Sequence, residues 1–356
     1  MAYIILHQNK LKHNFDYLEQ FFKSQNVNWS VVAKILCGHK KYLELLLSFN
    51  VNQVCDSRIT NLKTIKQINP QVKTFYIKPP AKTAIADVIK YADVSFNSDL
   101  YTIQLLNDAA KKQNKTHQVI LMIDLGELRE GIMREDFLDF YDKLQTFSNI
   151  QVLGIGTNLS CLYGVLPNTD KLNQLDLYKQ LVEAKFNQTF PYISGGSSVT
   201  MPLLANGLLP SAINHFRIGE TLFMGTNAYA QEAYDFLEQN VFELRAEIIE
   251  LYEKPIVPSG ELGANLEGET PSFDENDLGK TSFRALVDIG LLDVDINHVT
   301  PADLTFTIEA GTSDMTVLDL GKNEAQYKVG DTVRFHLDYM GIVRIMNSKY
   351  IDKVIE

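Results

Sequence analysis

Cysteine is scarce in this chain: Cys37, Cys55 and Cys161 are the only three in 356 residues. An odd number, far apart and each set in an apolar run, excludes a disulfide framework and points to reduced thiols in a reducing compartment. None stands in a CxxC or another zinc spacing, so no metal site is expected. Cations are also short, with 33 Lys and Arg against 44 Asp and Glu and a net charge of −11. That balance argues against nucleic acid or an anionic membrane as a partner, because both call for a basic face. Long apolar runs are missing too. Nothing approaches the roughly 18 residues a spanning helix requires, and the opening MAYIILHQNK has no cleavage-like small-residue motif. A cytoplasmic protein is expected.

What remains is an ordinary globular composition, 45% hydrophobic and 22% charged. A chain this long buries about three quarters of its unfolded surface and needs no disulfide or metal to fold. After a leading AYIIL strand, the first two thirds alternate short apolar runs with helix-length segments. The runs are VVAK (31–34), NQVCDS (52–57), KTFYIK (73–78), DVSFNS (93–98), HQVILMID (117–124), QVLGIGTN (151–158), PYISGG (191–196) and HFRIGE (215–220). Segments such as LYTIQLLNDAAKK (100–112) and LDLYKQLVEAKF (175–186) between them have helical spacing. Strands separated by helices call for a parallel sheet, and eight such steps suggest a (β/α)8 TIM-type barrel over residues 1–238. An open doubly wound sheet is the other architecture with this pattern.

Residues 239–356 read differently, as a small all-β domain without helix-period stretches. In DTVRFHL, Val333, Phe335 and Leu337 alternate with Thr332, Arg334 and His336, a period of two. The segment 258–280 carries six acidic residues and one lysine with no apolar periodicity. It reads as a solvated loop or as a flap near a site.

In either parallel architecture chemistry belongs at the carboxyl ends of the strands. Lys34, Asp124, Asn158, Gly195 with Gly196, and Arg217 all fall at or just after such ends. A lysine there can reach solvent, pair with a carboxylate, or, if partly desolvated, act as an amine nucleophile toward an aldehyde. Gly195, Gly196, Ser197 and Ser198 offer N–H groups and hydroxyls of the kind an anion cradle needs, although tight turns also use such glycines. Arg217 and Gly219 end the last strand, where this barrel often binds phosphate. A surface ion pair, for instance with Glu220, is the plainer reading of Arg217.

VVAKILCGHKKYLELLL resembles the cofactor-lysine segment of the alanine racemase superfamily, the fold-type III pyridoxal phosphate enzymes. MIDLGELREGI, ISGGSSVTM, HFRIGETLFMGT and FTIEAGTSDMTVLDLG are similar to its ornithine racemase-like branch. The likeness covers nearly the whole chain, with the motifs in order. It implies that Lys34 carries pyridoxal 5'-phosphate as a Schiff base and, once displaced, acts as a general base at the substrate α-carbon. It implies that Arg217 faces the pyridine nitrogen and disfavours its protonation, which suppresses transamination. Phosphate would be held by Ser197 or Ser198, by Gly219 and Glu220, and by Tyr350. Arg129 would fork the substrate α-carboxylate, or else remain a solvated loop cation. Asp124 would orient Arg129 or the backbone.

One departure stands out. Relatives place a tyrosine of the partner's β-domain on the substrate face opposite the lysine, and RALVDIGLLDVD has none. Asp288, Asp314 and a tyrosine from elsewhere are the candidates for that second acid–base group. Ser313 and Asp314 match a loop that enters the neighbouring subunit's site, so a homodimer with shared sites is implied. The expected activity is a racemase (an isomerase) for ornithine or another basic amino acid. Two alternatives share the fold: a D-amino-acid lyase or aldolase, which in relatives needs a His/Cys metal site, and a non-catalytic pyridoxal phosphate-binding homeostasis protein, which is generally a barrel alone.

Overall fold

The computed structural model describes residues 2–264, 268 and 270–356. Residues 265–267 and 269 of the acidic 258–280 segment therefore lie outside the described residues. The chain divides into two compact units: Lys10–Gln239, and Met1–Asn9 together with Asn240–Glu356. The leading strand β1 (Tyr3–Leu6) belongs to the latter and is described with it.

Lys10–Gln239 is organised on a parallel sheet of β2 (Asn28–Val32), β3 (Gln53–Asp56), β4 (Lys73–Tyr76), β5 (Val94–Asn97), β6 (His117–Met122), β7 (Ile150–Gly156), β8 (Tyr192–Ser194), β9 (Gly196–Ser197) and β10 (His215–Ile218). Each of the eight expected runs forms a strand, PYISGG forming both β8 and β9. Their order is β8-β7-β6-β5-β4-β3-β2-β10-β9. Only Gly195 separates β8 from β9, so both ends of that path are one stretch of chain and the sheet curls into a nearly closed barrel. The open doubly wound alternative is thereby excluded. Closure needs tight contact: a Cβ on Gly154 of β7 would stand 1.9 Å from the Tyr192 carbonyl oxygen of β8.

The strands are apolar because both faces are covered. Val32, Cys55, Phe75, Val94, Phe96, Ile120, Met122 and Leu153 form one buried cluster. Helices α1 (Gln8–Ser24), α2 (Lys40–Leu47), α3 (Ile59–Ile68), α4 (Ile85–Tyr91), α5 (Leu100–Lys112), α6 (Phe137–Leu144), α7 (Thr169–Phe186), α8 (Met201–Ala205) and α9 (Glu220–Met224) fall between or after them. In α1 the buried residues Leu11, Asn14, Phe15, Leu18 and Phe22 trace one helical stripe. Asp99 and Asn168 cap α5 and α7 by accepting the N–H of Thr102 at 2.7 Å and of Lys171 at 2.8 Å. A short hairpin, β11 (Thr226–Asn227) with β12 (Glu232–Ala233), follows α9.

The other unit is a sheet in the order β15-β18-β13-β14-β17-β16. Its strands are β13 (Phe242–Pro255), β14 (Thr281–Val287), β15 (Val299–Pro301), β16 (Thr307–Gly311), β17 (Thr316–Asp319) and β18 (Thr332–Leu337). Strand β1 pairs antiparallel with β13 and parallel with β19 (Asp352–Ile355). This corrects the assignment of residues 1–238 to one unit. Ile4, Ile5 and Leu6 are fully buried, and an apolar run that short does not say which sheet buries it. A second difference is helix α10 (Tyr339–Asn347), where no helix was expected. Ile342, Ile345 and Met346 bury one face of it, and Asp338 accepts the N–H of Gly341 at 2.8 Å as its cap. Among the described residues no helix is long and apolar enough to cross a membrane.

Candidate active site

Strand β2 stops at Val32, and Lys34 lies in the 3-10 turn Ala33–Leu36 just beyond it. Ala33 and Ile35 are buried while Lys34 is exposed. The lysine is nonetheless in carboxylate company: its charge acts on both Asp56 and Glu220. Asp56 ends the neighbouring strand β3 and is fully buried. It accepts the Arg58 N–H at 2.8 Å and the Asn61 amide at 3.1 and 3.2 Å. Burial lifts its carboxyl to about 6, with these hydrogen bonds and Lys34 opposing the rise. Burial likewise raises Glu220 against the pull of Lys34.

On the other side of β2 stands β10, registered Ile218 with Val31. Gly219 packs so closely there that a Cβ would lie 3.1 Å from that of Val32. Strand β10 in turn pairs with β9, registered Arg217 with Ser197. Lys34, Gly219, Glu220 and Ser197 thus converge at the carboxyl ends of three adjacent strands. Ser198 is buried, and its hydroxyl accepts the N–H of Thr221 at 3.2 Å.

Arg217 is not a surface ion pair. It is 8% exposed, its Nη1 donates to the Ser194 carbonyl at 2.7 Å and hydroxyl at 2.5 Å, and its Nη2 donates to the Thr157 carbonyl at 2.7 Å. The guanidinium lies 5.4 Å from the centre of the Phe96 ring. Burial lowers its pKa, yet an arginine stays charged at any working pH. Two residues earlier on the same face of β10, His215 bonds Ser194 Oγ through Nδ1 at 2.8 Å and Ser30 Oγ through Nε2 at 2.9 Å. Ser30 donates to Gln53 Oε1 at 3.0 Å. The donors order this chain: Arg217 gives to Ser194, Ser194 to His215 Nδ1, His215 Nε2–H to Ser30, and Ser30 to Gln53. That order requires a neutral imidazole, and burial, then the charges of Arg217 and Lys73, hold His215 well below its usual pKa.

The β6 and β7 loops supply the other charges. Asp124 Oδ1 accepts the N–H groups of Gly126 at 2.6 Å and Leu128 at 3.3 Å, so it orients the backbone that carries Arg129. Glu127, 2% exposed, accepts five backbone N–H groups, those of Ser160, Cys161, Leu162, Tyr163 and Val165. Burial works to raise this carboxyl, but those bonds prevail and hold it below the usual range. Arg129 forks onto Glu130, Nη2 reaching Oε1 at 2.5 Å, and Asn158 presents its amide oxygen to Arg129 Nη1 at 3.1 Å. The Glu130 bonds hold the guanidinium above its usual pKa. Nothing in the sequence pattern marked Glu127, Glu130 or His215 for this site, and Asp56, which ends the run NQVCDS, was missed although the strand-end rule covers it. Glu127 and His215 act through partners remote in the chain, and Asp56 and Glu130 through a side-chain direction that spacing leaves open.

Asp288, Asp314 and Tyr350 belong to the other unit. The turn after β14 and the β16–β17 loop run side by side, Leu291 N–H to the Thr312 carbonyl at 2.8 Å and Leu292 N–H to the Ser313 carbonyl at 2.9 Å. This brings Asp288 and Asp314 to one edge of that sheet, with Asp314 exposed and accepting from the Ser313 hydroxyl at 3.1 Å. Tyr350 follows α10 and is 83% exposed. Among the described residues no three His, Cys, Asp or Glu side chains are grouped to hold a metal ion.

The family described as alanine racemase, N-terminal domain, matches residues 6–227. The chain is 35% identical over 346 residues to an ornithine racemase from Acetoanaerobium sticklandii, covering 97% of each. It is 27% identical to a lysine racemase from Thermotoga maritima, covering 99% of this chain and 98% of that one. Among solved structures, alanine racemase from Bartonella henselae with covalently bound pyridoxal phosphate shares the fold at a TM-score of 0.75 and 14% identity, covering 100% and 99% of the two chains. A parallel barrel with a strand-end lysine and a buried arginine, followed by a β-unit, defines a racemase-type fold. This chain belongs to the alanine racemase family.

Proposed function

We propose that this protein is a pyridoxal phosphate-dependent racemase of a basic amino acid, ornithine foremost, that removes the α-proton on one face and returns one on the other. The observation that carries the reading is Arg217, a buried cation fixed by Ser194 and Thr157 one strand away from Lys34. The names of the 35% and 27% identical relatives support the basic substrate.

The residues fit the cofactor. Arg217 Nε–H has no protein acceptor among the described residues, so the buried guanidinium keeps a donor for a ring nitrogen. Ser197, Gly219 and Glu220 gather hydroxyl and backbone groups suited to a phosphate beside them. Lys34 would hold the cofactor through its amine, and Ser197, Ser198, Gly219 and Glu220 its phosphate. The chemistry supplied there is an aldehyde for that amine and an electron sink for the α-carbon. Lys34, exposed and flanked by Asp56 and Glu220, carries the proton on its own face. Arg217 keeps a ring nitrogen unprotonated, because a second proton beside a fixed cation is disfavoured. Arg129 orients the substrate α-carboxylate. Asp288 or Asp314 serves the opposite face from a second copy of the chain, in a homodimer of cytoplasmic location.

Initial rates with L-ornithine, L-lysine, L-alanine and L-serine test the reading. Ornithine or lysine should have the highest kcat/KM, and a higher value for alanine would refute the substrate assignment.

A further inference from the structure

Residues 123–131, the first part of the β6 loop, carry three acids, and two of them are committed to backbone. Asp124 is bound to Gly126 and Leu128, and Glu127 to the five N–H groups of the β7 loop. Glu130 differs: its carboxylate lies on the Arg129 fork, and its side chain is 15% exposed. Arg129 touches Asn158, the residue after Thr157, whose carbonyl holds Arg217. The Arg129–Glu130 pair is thus joined by two consecutive residues to the buried arginine. The charges of Glu130 and Arg129 both act on Arg217.

We propose that Glu130 selects for a cationic substrate side chain, receiving the distal ammonium when the substrate α-carboxylate takes its place on Arg129. The inference rests on the racemase reading above and names what recognises the basic side chain. Before binding, one cation and one anion neutralise each other. A substrate with an α-carboxylate and a distal ammonium replaces that one pair by two, and every charge keeps a partner. A substrate with an uncharged side chain takes Arg129 and leaves Glu130 unpaired in a mostly buried place, which is costly. Selection therefore works in both directions, by attraction of the cation and by a penalty on its absence.

The test compares the wild-type holoenzyme with Glu130→Gln and Glu130→Asp on L-ornithine and L-norvaline, which has the same carbon chain without the amine. In Glu130→Gln the ratio of kcat/KM for ornithine over norvaline should fall on the order of a hundredfold, chiefly through the KM for ornithine. Glu130→Asp keeps the charge and should retain part of the preference. An unchanged ratio in a folded Glu130→Gln enzyme, or parallel losses on both substrates, would overturn the proposal and leave the racemase reading standing. A wild-type holoenzyme that exchanges the α-proton of no amino acid would overturn both.

Discussion

Asp56 offers the most quantitative check on the site, because its surroundings act in opposite directions. Full burial raises the carboxyl from an ordinary 3.8 to about 6, against hydrogen bonds from Arg58, Asn61 and Ser57 and the charge of Lys34. A group whose folded pKa lies above its unfolded one favours the protonated fold. Its contribution is complete below about pH 4 and is lost as pH rises through about 6. The two-unit difference corresponds to about 3 kcal/mol across that window. Asp56→Asn removes the titration and keeps one oxygen to accept from Arg58 and Asn61, while its NH2 takes the place of the oxygen that accepts Asn61 at 3.1 Å, a cost that does not vary with pH. Urea midpoints of the two proteins should be measured from about pH 4 to 7.5, the difference cancelling the carboxylates they share. Relative to wild type, the variant should gain about 2.5 kcal/mol between the acid and neutral ends of that range. Parallel stability curves would refute the account, for they would mean that Asp56 is no more costly to ionise in the fold than in the unfolded chain.

Other substitutions address other parts of the site. Lys34→Ala should abolish both racemisation and the visible absorbance of the attached cofactor, and persistence of that absorbance would reject Lys34 as the attachment point. Arg217→Glu should raise the ratio of transamination to racemisation, measured by keto-acid formation against D-isomer formation; a constant ratio would contradict the role given to the cation. Glu127→Gln puts an amide NH2 against N–H groups that now share one carboxylate, at a cost of roughly 2 kcal/mol, with faster hydrogen exchange at residues 160–165. Gly196→Ala would place a Cβ 2.2 Å from the Phe216 ring and should destabilise the barrel by about 1–3 kcal/mol while weakening cofactor retention through the displaced Ser197.

The barrel was legible because its strands are buried on both faces: runs such as HQVILMID have one reading only, ended by turn residues. The strand-end rule then singled out Lys34 and Arg217 without any fold in hand. β1 was misplaced for the same reason the others were found. Four apolar residues look alike whether a parallel or an antiparallel sheet buries them. In α10 the buried positions Ile342, Ile345 and Met346 are helical in spacing, but the nine-residue element offers too few turns to stand out among β-type neighbours. Strand position alone left the exposure of Lys34 open, and the 3-10 turn Ala33–Leu36 that follows β2 settles it as exposed.

What the sequence conceals most thoroughly is direction, and the Arg217 network turns on it. Ser30, Gln53, Ser194 and His215 are unremarkable as letters, yet together they leave one consistent placement of hydrogens. A protonated His215 would present Nδ1–H to Ser194 Oγ, which already accepts from Arg217. That hydroxyl would then accept from two cationic donors, and its own hydrogen would lose the acceptor it has in Nδ1. The cation of Arg217 therefore enforces the neutrality of its neighbour, and the neutral imidazole in turn fixes the hydroxyl that anchors the guanidinium. The two residues act as one device: a single positive charge held by neutral hydrogen-bond acceptors, with no carboxylate in direct contact among the described residues, whose field is left for whatever binds at the mouth of the barrel.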